Sequence, residues 1–263
     1  CRIVWLPHSL SCRLVPVLER TPKLVSLLHL IQPLRVEYWS KRWQVEDSPW
    51  HKTDVNRFLL SYFDRVKQIK EGKLRIFVPL CGKSHDLKWI YDQGHEVVGL
   101  DGVEKPILEF FQEQGLTYTK GSEGAIQFYI SDDGRLKIYH SDLFALDTSI
   151  CGKFDGIWDR GSLVAILPED RVRYAKLLKS LLNENFAYLI DTMQYDQSQY
   201  PGPPLSVSVE EVTKLFGDVC DVETLLTVDT NADPLSAASY KLRFNLDTCY
   251  EIILLLKPKA NSV

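Results

Sequence analysis

The chain has 263 residues, enough to bury a substantial core, and one large α/β domain is expected rather than two small ones. With charged residues at 25% and a formal net charge of -4, there is no broad basic face to recruit nucleic acid, and no apolar run is expected to span a bilayer. Cys1, Cys12, Cys81, Cys151, Cys220 and Cys249 form no CxxC pair and the histidines form no HExxH, so a reducing compartment is expected, with neither a disulfide framework nor a zinc motif. Metal chemistry would need a constellation that sequence alone does not reveal.

Residues 1–33, broken by Pro7, Pro16, Pro22 and Pro33, read as a disordered extension. A transit peptide is the alternative, because Arg2, Arg13, Arg20 and Lys23 face a single acid, Glu19. From Glu37 the texture becomes aromatic, with Trp39, Trp43 and Trp50 close together. Trp39 and Trp43 are spaced to share a helix face, so this stretch either staples itself to the core or covers a flat, cationic ligand. A helix from near Thr53 or Asp54 to near Lys70 follows, with Val55, Phe58, Leu59, Tyr62, Phe63, Val66 and Ile69 as its apolar stripe.

Leu74 to Asp101 predicts strand, turn, helix and strand. Leu74, Ile76, Phe77, Val78 and Leu80 suit a strand buried on both faces, Cys81-Gly82-Lys83 turns the chain, Ser84 caps the helix and Gly94 ends it. Asp101 closes the second strand about 20 residues past Gly82, the spacing of an acid that binds ribose hydroxyls. The turn keeps only Gly82 of the G-x-G-x-x-G pattern, which disfavours a dinucleotide and suits a nucleoside without phosphates. A solvated strand-end acid is the other reading of Asp101.

Pro106 sits in the first turn of a helix that Gly115 stops, and residues 117–125 read as a loop. Ile126–Ile130 and Leu136–Tyr139 flank Asp133-Gly134 as a hairpin. Its second strand leads to Asp142 and Leu143, an adenine-binding pair or a solvated turn. Phe154–Trp158 makes the next strand, ending in Asp159-Arg160-Gly161, an internal ion pair or an anion site. Phe186–Met193 is a further strand, followed by the stiff Tyr200-Pro201-Gly202-Pro203-Pro204 loop, a helix capped by Ser208, and a terminal hairpin of Val219–Val228 and Tyr250–Leu256.

Glu37-Tyr38-Trp39 with Trp43, Pro79-Leu80-Cys81-Gly82-Lys83, Gly94-His95 with Val97-Val98-Gly99, Gly152-Lys153-Phe154-Asp155 with Ile157-Trp158-Asp159-Arg160-Gly161, and Pro201-Gly202-Pro203-Pro204 closely resemble the thiopurine S-methyltransferase family in order and spacing, over about residues 36–258. The resemblance implies an α/β, Rossmann-like class I methyltransferase fold, with a seven-stranded, mostly parallel sheet, an antiparallel final strand and helices on both faces. It implies a single domain over residues 34–258 with an aromatic cover at about 36–52, acting as a cytoplasmic monomer with S-adenosyl-L-methionine as cofactor. Trp39, Trp43, Leu80, Gly82, Asp101, Asp142, Leu143 and Arg160 are then expected at the cofactor, Asp101 standing where the family commonly has glutamate. Arg160 and Asp159 are expected to position the substrate, and Trp50 to touch it where the family often has phenylalanine.

The implied reaction is S-methylation of aromatic or heterocyclic thiols of the thiopurine type. The expected partner is a small-molecule thiol, with no nucleic acid, membrane or metal. Small aliphatic thiols, selenium compounds or another metabolite are alternative acceptors, and a non-catalytic S-adenosylmethionine-binding protein is the alternative of a different class.

Overall fold

The structure is a computed structural model that describes residues 35–233 and 244–259; the expected extension at 1–33 lies outside them. Helices α1 (Val36–Gln44) and α2 (Arg57–Lys67) lead to β1 (Arg75–Pro79), α3 (His85–Asp92), β2 (Glu96–Asp101) and α4 (Glu104–Glu113). Strands β3 (Tyr118–Glu123), β4 (Ile126–Ser131) and β5 (Leu136–His140) form an antiparallel meander. Then come α5 (Thr148–Cys151), β6 (Phe154–Arg160), α6 (Arg171–Ser180), β7 (Leu182–Tyr195), α7 (Val209–Phe216), β8 (Cys220–Asp229) and β9 (Cys249–Pro258).

Local chemistry sets the boundaries that matter for the site. The Ser84 hydroxyl accepts the Asp86 N–H at the start of α3, and Gly94, at φ 89°, lets the chain leave that helix in the left-handed region. Helix α2 starts later than Thr53 or Asp54 because Asn56 is its cap: the Asn56 Oδ1 accepts from Phe58 N at 2.7 Å and Leu59 N at 3.3 Å.

The sheet order is β3-β4-β5-β2-β1-β6-β7-β9-β8. Strands β5, β2, β1, β6 and β7 are parallel, and β9 lies antiparallel between β7 and β8. Among the described residues there are nine strands, not the expected seven. The additions are β3 and β4 at one edge, and β3 replaces the loop expected at residues 117–125. That strand was hidden because most of its residues are exposed, so no apolar alternation marks it, and its ladder to β4 holds it in place.

Side-chain alternation along the buried strands builds two cores. Phe77, Leu100, Ile157 and Tyr188 pack with α6 and α7 on one face, while Ile76, Val78, Val97 and Leu189 pack with α2, α3 and α4 on the other. Among the described residues, no helix is long and apolar enough to cross a membrane.

Candidate active site

The strand order reverses at β1, which has β2 on one side and β6 on the other, and a cavity of about 530 Å3 opens beyond the C-terminal ends of these strands. Trp39, Trp43 and Trp50 roof it, and Leu80, Gly82, Asp101, Asp142, Leu143 and Arg160 reach its walls.

One half is built from the β1–α3 turn and the end of β2. Leu80 sits at φ 44° and Gly82 at φ 51°, so this turn runs twice through the left-handed region, once without glycine's freedom. A Cβ on Gly82 would stand 3.1 Å from Trp43 Cζ2, which lets the roof close tightly on the turn. Asp101 ties the turn to β2: its Oδ2 accepts from Gly82 N and its Oδ1 from Val103 N, each at 2.8 Å. Burial pushes its carboxyl up to about 6, against the opposing pull of the two N–H donors. Each oxygen has a second acceptor position, so a carboxylate clamped in this way can still receive a hydroxyl. Asp142 Oδ1 accepts Phe144 N at 2.7 Å to cap a short 3-10 turn, which sets Leu143 into the wall.

The roof is a packed aromatic cluster. Trp50 meets Trp39 at 5.1 Å and Trp43 at 5.6 Å between ring centroids, both edge to face, and the Arg42 guanidinium lies 4.5 Å over Trp50. Trp43 is buried and its carbonyl accepts Lys105 Nζ at 2.9 Å, which fastens the roof to α4. The two readings of this stretch are therefore compatible, since the same rings pack together and face the cavity.

The other half lies at the ends of β6 and β7. Arg160 lines the cavity and its Nη1 donates to the Trp50 carbonyl at 3.1 Å, linking roof and floor. Asp159 corrects the expectation: it is fully buried on the opposite side of β6 and does not reach the cavity. Tyr174 and Tyr188 hydroxyls donate to its Oδ2 at 2.6 and 2.7 Å, and Leu163 N donates to its Oδ1 at 3.0 Å. Burial raises its carboxyl above the ordinary range, with the two phenols pulling the other way.

Sequence reasoning missed a second set of acids. Asp191, Asp86 and Glu251 all line the cavity. Asn56 bridges two of them, donating from Nδ2 to Asp191 Oδ2 and from its backbone N to Asp86 Oδ1, both at 2.8 Å, while Trp158 Nε1 donates to Asp86 Oδ2 at 2.8 Å. Burial and the nearby Glu251 push the Asp191 carboxyl well up, with Arg160 opposing. The available signal was a carboxylate interrupting the apolar run Leu189-Ile190 near the end of a buried strand.

The model of the thiopurine S-methyltransferase family matches residues 34–252. A zebrafish (Danio rerio) protein named probable thiopurine S-methyltransferase is 42% identical over 194 residues, covering 73% of this chain and 83% of the relative. The mouse (Mus musculus) thiopurine S-methyltransferase is 37% identical over 231 residues, covering 87% and 93%. Among solved structures, the Burkholderia thailandensis 1,6-didemethyltoxoflavin-N1-methyltransferase with bound S-adenosylhomocysteine aligns at a TM-score of 0.56 and 15% identity over 90% of each chain. Magnesium protoporphyrin IX methyltransferase from Synechocystis, also with bound S-adenosylhomocysteine, aligns at 0.55 and 16% identity, covering 84% of this chain and 96% of that one. The fold is that of the Rossmann-like methyltransferases, and the chain belongs to the thiopurine S-methyltransferase family.

Proposed function

We propose that this chain transfers a methyl group from S-adenosyl-L-methionine to the sulfur of an aromatic or heterocyclic thiol of the thiopurine class. The observation that carries this reading is a single cavity whose Leu80–Gly82–Asp101 half is continuous with the Arg160 half under one aromatic roof. The residues suit the cofactor: a tight turn without a phosphate cradle, an acid with acceptor capacity at the end of β2, and ring faces for a cation. Bound S-adenosyl-L-methionine supplies an electrophilic methyl group on a sulfonium centre.

Asp101 accepts the ribose hydroxyls, Asp142 accepts from the adenine amino group and Leu143 packs on the base. Trp39 and Trp43 cover the sulfonium side and exclude water, and Trp50 bounds the acceptor. Arg160 holds the acceptor and favours its thiolate, and Asp191 Oδ1, the oxygen not held by Asn56, takes the thiol's proton. The chain forms no covalent intermediate. Alignment of sulfur, methyl and sulfur is its main task. The Cys81 thiol takes no part, since burial and the adjacent Asp101 keep it protonated.

Residues 34–258 act in this reading as one catalytic unit, a cytoplasmic monomer with residues 36–52 as its cover. Incubation with methyl-labelled cofactor and either thiophenol or a thiopurine is expected to give labelled S-methyl product from both. No product from either, in protein that binds S-adenosylhomocysteine, would sink the thiol reading.

A further inference from the structure

Beside the cavity, which His51 lines, three side chains unused by methyl transfer come together from separate elements. His51 follows Trp50 in the cover, His85 opens α3 directly after the cofactor turn, and Glu113 ends α4. One imidazole nitrogen from each histidine and a carboxylate oxygen of Glu113 lie within 4.8 Å of one another, and the two imidazole centroids are 6.1 Å apart. Both histidines are half-buried, which holds the rings in place while leaving them open to solvent ions.

We propose that His51, His85 and Glu113 form a site for a zinc-type transition-metal dication that ties the aromatic cover to the cofactor turn. Two imidazoles and one carboxylate make a donor set that zinc and its first-row neighbours accept, with a fourth position left to water. Ligands about 2.0–2.1 Å from a tetrahedral metal stand roughly 3.3 Å from each other, so donors that lie within 4.8 Å need to close by up to about 1.5 Å, which side-chain rotation supplies. Lys83 competes for the same carboxylate: its Nζ lies 2.7 Å from Glu113 Oε1 and 2.8 Å from Glu109 Oε2. When Glu113 turns to the metal, Lys83 keeps Glu109, so no cation is stranded.

The consequence follows from where the ligands sit. His51 is joined to Trp50 and packs 6.2 Å from the Trp43 ring, which itself lies against Gly82. A metal that fixes His51 to the start of α3 and the end of α4 holds the roof down on the turn. It acts as a latch on cofactor exchange, not as a participant in the chemistry. The latch rests on the methyltransferase reading; the metal site does not.

The test uses the tag-free full chain, stripped with chelator and titrated with Co2+. Wild type is expected to show visible ligand-field absorption that saturates at one equivalent, and His85→Ala and Glu113→Gln each to weaken that binding at least tenfold, with metal-free melting unchanged. Among the described residues the cysteines, Cys81, Cys151, Cys220 and Cys249, are buried and offer no alternative site at the surface. Saturating Zn2+ should slow S-adenosylhomocysteine release at least tenfold in wild type and leave it unchanged in His85→Ala. Equal Co2+ binding by wild type and both variants overturns the site, and unaltered release from Zn2+-loaded wild type overturns the latch. Failure of metal-free wild type to bind S-adenosylhomocysteine would refute the methyltransferase reading instead, and the Co2+ titration would still read the site.

Discussion

Asp101, the last residue of β2, clamps a turn and faces the cavity, whereas Asp159, next to last in β6, points into the core, where two tyrosine hydroxyls hold one of its oxygens. Both are buried acids at the C-terminal ends of parallel strands. Parity separates them. Along β6, Trp158 and Arg160 face the cavity, so the residue between them must face the opposite layer. A carboxylate at a strand end is part of a site only when its register sends it there. The same contrast divides the cavity: a cofactor half built mainly on one βαβ unit, with Asp142 and Leu143 added after β5, and an acceptor half gathered from α3, β6, β7, β9 and the residue that caps α2.

Removing the clamp is the strongest way to break this division. Asp101→Ala loses the acceptor for ribose and both backbone anchors of the turn, and hydrogen bonds to a charged group contribute about 1.5–3 kcal/mol each. Calorimetry is expected to show S-adenosylhomocysteine binding weakened about 100-fold or more, with the circular dichroism of the folded protein retained. An affinity within threefold of wild type would show that Asp101 only shapes the turn.

Next in size is the acceptor half. Arg160→Met is expected to lower kcat/KM for a thiopurine by about 100-fold, the scale for loss of a charged group that positions the reacting atom, with little change in S-adenosylhomocysteine affinity. Asp191→Asn should lower kcat by tenfold or more at neutral pH, and the loss should shrink as pH rises and the thiol ionises without help. A pH-independent loss would assign Asp191 to architecture.

Asp159→Ala sharpens the comparison from the other side. It leaves buried phenols without their acceptor, at a cost of about 1–3 kcal/mol in stability, while kcat per folded molecule stays within twofold. A denaturant titration paired with a rate assay reads both. Smallest is Trp50→Phe, a trimmed wall: a shift of a few-fold in preference toward bulkier thiols, read from competing substrates.

Much of the cofactor half was legible because its determinants are local. Ser84, Gly94 and the spacing from Gly82 to Asp101 lie within one unit of chain, and the turn chemistry that makes them work is carried by the residues themselves. The hairpin at Asp133-Gly134 was readable for the same reason, with Gly134 at φ 74°. The acceptor half was not legible, because Asn56, Asp86 and Asp191 meet only through sheet order and helix placement. Strand β3 escaped notice because it owes its form to pairing with β4 rather than to burial, and the metal-ligand spacing of His51, His85 and Glu113 exists only in three dimensions.

The most direct measurement is S-adenosylhomocysteine affinity as a function of pH in wild type and Asp101→Asn. Ribose hydroxyls donate to the ionised carboxylate, and burial has pushed that carboxyl up to about 6, so protonation on acidification removes the acceptor. Wild-type affinity is predicted to fall as pH drops through about 6, approaching tenfold per pH unit below it, while Asp101→Asn binds weakly throughout and shows no such step. A wild-type profile that is flat between pH 5 and 8, or a step that persists in Asp101→Asn, would contradict the assignment of Asp101 as the ribose ligand.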